Sequence, residues 1–93
     1  MNGLGEMRNI GPVVAAELEA AGVSEPGELR AMGSVGAAIR LRATGFDVCR
    51  SKLAGLEGAI RDVKWNLVPK GEREELWREL EGMAAVPKPG REG

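Results

Sequence analysis

The run Met7-Arg8-Asn9-Ile10-Gly11-Pro12 limits the fold of this chain more than any other segment. Asn9 and Gly11 are residue types able to take a positive φ, they bracket one apolar residue, and Pro12 suits the first position of a helix. Val14, Ala15 and Leu18 recur at helical spacing behind it, and Gly22 follows as a stop. The expectation is a tight turn between two short helices, over residues 4–7 and 12–21. Such a turn aims successive backbone N–H groups outward at a helix start, where the dipole adds positive potential, so it can hold a phosphate with no charged side chain. The plainer alternative is that Asn9 and Gly11 only permit the bend.

The rest of the chain reads as further helices and no strands. Ser24 caps a helix over 25–32 with Leu29 and Met32 inward, and Ser34 caps another that Gly45 stops after Thr44, with Val35, Ala38, Ile39 and Leu41 inward. Asp47 caps the most regular element, in which Cys49, Leu53, Leu56, Ile60 and Val63 form one apolar seam. Cys49 is read there as a small core residue. Gly55 and Gly58 weaken that helix unless a second helix approaches closely. Residues 65–67 turn the chain, Pro69 opens a last helix with Leu76, Trp77, Leu80 and Met83 as its stripe, and both tryptophans read as core anchors. Glu17 and Glu19 are left to water. Residues 1–85 make one domain, and 86–93 a disordered tail.

The spacing Leu4-x-x-Met7-x-x-Ile10-Gly11 returns as Leu29-x-x-Met32-x-x-Val35-Gly36, displaced by 25 residues. Two stacked hairpins follow if this is a duplication, while chance recurrence of common residues leaves only the first. The fold class expected is all-α, a small bundle of five or six helices.

Met7-Arg8-Asn9-Ile10-Gly11-Pro12-x-x-Ala15-x-x-Leu18-x-x-x-Gly22-Val23, with Pro26 and Leu29 after it, resembles a helix-hairpin-helix of the SAM-like kind. More closely, it is similar to the C-terminal domain of the bacterial TfoX/Sxy competence regulators, in which an Asn-Ile-Gly-Pro turn opens the domain. Leu56-Glu57-Gly58-Ala59-Ile60-Arg61 with Trp65-Asn66 and Pro69 resembles that family's second half, so the likeness spans about residues 4 to 81. It implies that the turns Asn9-Ile10-Gly11 and Ser34-Val35-Gly36 touch duplex phosphates through backbone N–H groups, in a protein concerned with transcription of DNA-uptake genes. Relatives usually carry a separate domain before this one. The chain is therefore expected to be either a stand-alone protein or an excised domain.

Charge is placed unevenly. Net charge is −1, yet residues 30–52 hold Arg30, Arg40, Arg42, Arg50 and Lys52 against Asp47 alone, and residues 72–81 hold five glutamates against two arginines. A near-neutral molecule can thus present a positive face. Arg40, Arg42, Arg50 and Lys52 are the expected source of salt-dependent attraction, blind to base sequence because nothing is shaped to enter a major groove. Val13 and Val14 stand where such hairpins usually carry a cation. That favours the alternative of a protein-binding or self-associating module using Val13 and Glu17.

Catalysis is not expected. The chain has no histidine and a single cysteine, so the commonest general base, a disulfide framework and the usual zinc spacings are all missing. No cofactor, metal or small-molecule substrate is expected. No apolar run approaches the ~20 residues of a membrane span, and no signal peptide opens the chain. The expected setting is the cytoplasm, as a monomer or weak homodimer.

Overall fold

A computed structural model describes the backbone over residues 3–84 and the side chains over 3–82; the expected tail and the side chain of Met83 lie outside that range. The described residues form four α-helices and no strand: α1 Pro12–Ala20, α2 Pro26–Thr44, α3 Arg50–Arg61 and α4 Lys70–Ala84. Two single 3₁₀ turns, Leu4–Glu6 and Trp65–Leu67, precede α1 and α4. A single turn cannot hold itself, because nucleation costs more than its one or two bonds return. Leu4 is accordingly buried, and the first turn packs on α1.

Pro12 occupies the first turn of α1, as its fixed φ favours. Gly11 before it has φ −93°, an ordinary extended value, so only Asn9, at φ 67°, needs the left-handed region. The helices expected over 25–32 and 34–44 are both present, as two helical segments of α2 that meet at a kink at Gly33. There φ is 80° and ψ 168°, a combination essentially closed to other residues. A left-handed Gly45 then ends α2.

Three of the expected caps do other work. Ser24 lies one residue outside the cap position and bonds to Glu28 through both N–H and Oγ; the N–H bond is the main reason the Glu28 carboxyl lies below its usual range. Ser34 is buried, and its hydroxyl donates to Glu57 Oε1 at 2.6 Å. Cys49, not Asp47, holds the cap position of α3, and it is exposed rather than in the core.

The core lies between α2 and α3 and is closed by α4. Leu29, Leu41, Leu53, Leu56 and Leu80 are fully shielded, with Leu18, Val23, Ile10 and Leu4 supplied from the N-terminal side. Each such leucine is worth roughly 1.5–3 kcal/mol relative to exposure, which explains why α3 keeps its seam despite two interior glycines. Ile39 is an exception: it is 37% exposed beside the kink, where Ala37 takes the inward position. Trp77 packs against the core as expected, but Trp65 does not and is 45% exposed.

Candidate functional site

The turn at Asn9 is fastened to the far end of α3 by its own side chain. Asn9 Nδ2 donates to Val63 O at 2.9 Å, and Asn9 Oδ1 accepts the Trp65 N–H at 3.1 Å. Both ends of the amide are thereby used, which fixes its orientation as well as its position. Gly58 makes the seat for this amide. A Cβ there would lie 2.6 Å from Asn9 Nδ2, 2.7 Å from Val63 O and 3.2 Å from Trp65 Cα. The glycines of α3 therefore admit a polar turn residue, not a second helix. Arg8 adds an outer contact to Asp62 at 3.0 Å, too exposed to contribute much.

Two helix starts open onto the groove below this turn. Asn9, Ile10 and Val14 line one side, and Cys49, Ser51, Lys52, Gly55 and Leu56 the other. Among the described residues, no intramolecular acceptor meets the N–H groups of Val13 and Val14, nor that of Arg50; the first helical bonds are Ala15 to Gly11 and Leu53 to Cys49. Aligned helix-start amides make such a groove favourable to negative charge. The Cys49 thiol is held below its usual value chiefly by a hydrogen bond from the Lys52 backbone N–H. A second groove, which shares Ser51 with the first, is lined by Arg50, Ala54, Trp65, Arg73 and Glu74.

The cations expected from the sequence are placed otherwise than their spacing suggested. Lys52 Nζ bonds to Glu17 Oε1 at 2.6 Å and to Asp47 O at 2.8 Å, with both side chains about four-fifths shielded, so Glu17 is not left to water. Arg50 pairs with Glu74 at 2.6 Å and Arg42 with Glu81 at 3.1 Å, and both guanidiniums lie over Trp77, at 4.9 and 5.6 Å from its ring centre. The Arg50 bond holds the Glu74 carboxyl below its usual range. Arg40 donates to Ala21 O at 3.1 Å and has no carboxylate partner. Ser34 and Gly36 line a separate groove with Met32, Ile39, Leu76 and Glu79.

Other cations are free of ion pairs among the described residues: Arg30, Lys64, Lys70, Arg73 and Arg78 join Arg40 in having no direct carboxylate contact, though Lys70 and Arg78 act on Glu74, and Arg40 on Glu28, at longer range. Three of these, Lys64, Lys70 and Arg73, flank Trp65, and residues 63–71 contain no acid. Sequence reasoning passed over this segment because its charges are few. The signal available was the absence of any carboxylate between Asp62 and Glu72.

Together these features define a class: a small all-α domain whose N-terminal turn is stapled across its central helices. The chain belongs to the TfoX C-terminal domain family, whose model matches residues 1–80. It is similar in structure to an uncharacterized protein from Listeria monocytogenes solved in a triclinic crystal form, with a TM-score of 0.80 and 33% identity over 88% of this chain and 93% of that one. A protein of unknown function from the same organism, in a tetragonal form, gives a TM-score of 0.78 and 34% identity over 85% and 98% of the two chains. No curated protein matches the chain. The matches indicate no enzymatic family. Among the described residues no group of acids, cysteines and histidines is placed to hold a metal, and no helix is long and apolar enough to cross a membrane.

Proposed function

We propose that this is a non-catalytic regulatory domain, linked through its family to competence, that binds nucleic acid weakly and without reading sequence. The observation that carries the reading is the Asn9 staple. It sets the turn whose Val13 and Val14 amides lack acceptors against residues 63–73, where Lys64, Lys70 and Arg73 make no ion pair. On this reading Asn9, Ile10 and Gly11 shape the phosphate-facing turn, as in a helix-hairpin-helix, and Arg40 adds charge. Arg42, Arg50 and Lys52 contribute less, because each must give up Glu81, Glu74 or Glu17 to reach a phosphate. Ser34 and Gly36 would act only through a second contact on their own groove.

Fluorescence anisotropy with duplex DNA over a salt series is the test. Affinity is expected to fall steeply with salt, and Lys64→Ala with Lys70→Ala to flatten the slope by about 2, one for each lost phosphate contact. Absence of binding at low salt sinks the proposal.

Val13 supports a second reading. It is 70% exposed at the position where a phosphate-binding cation would stand, and an apolar side chain there suits a protein partner or a second copy of the chain. Glu17 is less suited, being engaged by Lys52. Sedimentation that stays monomeric at all concentrations, unchanged by Val13→Asp, removes self-association.

A further inference from the structure

We propose that the site takes an unpaired nucleobase, stacked on Trp65, so that single-stranded nucleic acid is bound in preference to duplex; this rests on the nucleic-acid reading above. Trp65 is a large aromatic side chain left 45% exposed, in contrast to Trp77, which is covered by two guanidiniums and packed on the core. Its backbone is held in place. The Trp65 N–H is bonded to Asn9 Oδ1, and its Cα sits against Gly58.

The ring is backed on one side. The Arg73 guanidinium lies 5.4 Å from the ring centre and is itself anchored by a 2.9 Å bond from Nε to Val68 O. An aromatic ring held by its backbone and supported by a cation is a stacking platform that loses little freedom on binding. Lys64 and Lys70 supply charge without an ion pair on either side in sequence, and Leu67, two residues on, is 65% exposed.

Charge complementarity selects the occupant. Among residues 63–73 the one carboxylate, Glu72, is taken by Arg61, and Glu74, which lines the same groove as the ring, is taken by Arg50, so the charge around the ring left without an ion pair is that of Lys64, Lys70 and Arg73. An anionic chain with a flat face at each repeat meets both requirements, stacking on the ring while its phosphates meet the lysines. A duplex meets only the second, because its base faces are already stacked on one another. Ser51 lines both the groove at Trp65 and the neighbouring one at Ile10 and Val14, which leads toward the free amides of α1.

The test compares a fluorescein-labelled 20-nucleotide oligothymidylate with a duplex of equal length at low salt, using the full chain, Trp65→Ala and Trp65→Phe. The single strand is expected to bind at least ~10-fold more tightly than the duplex, and Trp65→Ala to weaken it by roughly 5- to 100-fold with duplex affinity unchanged. Trp65→Phe should retain part of the affinity, and circular dichroism should show all three chains equally helical. Equal or tighter duplex binding, with Trp65→Ala without effect on the single strand, overturns this inference and leaves the nucleic-acid reading standing. No binding of either form overturns both. Binding to anionic phosphatidylserine vesicles with none to oligothymidylate assigns the tryptophan to a membrane surface and likewise overturns it.

Discussion

The turns at residues 7–12 and 32–36 share a sequence spacing and a burial pattern but not a backbone path. Leu4 and Leu29 are buried, Met7 and Met32 half-buried, Ile10 and Val35 buried again. Yet the first turn leads from a 3₁₀ turn into a new helix, while the second joins two helical segments directly at Gly33. Position by position, Pro12 corresponds to Ala37. Pro12 opens α1 with no N–H to give, whereas the break in α2 lies at Gly33, four residues before Ala37. The polar residues then diverge: Asn9 reaches across to Val63 and Trp65, and Ser34 reaches Glu57. Apolar spacing settles which residues are buried; the backbone path depends on the polar residues and prolines between them.

The largest blow to the first turn should come from its seat. Gly58→Ala is expected to cost roughly 3 kcal/mol in urea unfolding, since the new Cβ meets both backbone and the Asn9 amide. The second turn should yield less: Gly33→Ala forces a strained φ and ψ in open space, at about 2 kcal/mol. A fully tolerated Gly33→Ala would mean that the kink is not needed to pack α2.

Asn9 separates strain from bonding. Asn9→Ala loses both staple bonds and strains a left-handed residue, about 2 kcal/mol in all, whereas Asn9→Gly loses only the bonds, about 1 kcal/mol. If the two variants unfold at the same urea concentration, the staple and not the φ angle sets the turn. Ser34→Ala should cost about 1 kcal/mol, because Glu57 keeps Arg61 at 2.7 Å after the hydroxyl is gone. The smallest expected effect is chemical: Cys49, on the groove of the first turn, should react with iodoacetamide at pH 7.5 faster than a free cysteine, its thiol being held low by the Lys52 amide. A rate equal to that of free cysteine would show that this hydrogen bond is weak.

Much of the fold is legible along the chain. Helix types, the start at Pro12, the stop at Gly45, the seam through Leu53 and Leu56 and the pairing of Glu57 with Arg61 all follow from local spacing, because each involves residues within one or two turns. The site was less legible. Arg42, Arg50 and Lys52 cluster in sequence as a basic segment, but α1 and α4 bring Glu17, Glu74 and Glu81 to them from up to 39 residues away. Cys49 falls on the helical seam yet stands one residue before α3, where a side chain points to solvent.

By itself the sequence determined that this chain is helical, where the main helices begin and end and which leucines form its centre, since backbone sterics and the period of apolar residues act over a few residues. Only the tertiary structure decided which charges remain free and which tryptophan is exposed. Neutralising a cation or covering a ring takes a partner from a distant helix, and local spacing does not encode which helix will be adjacent.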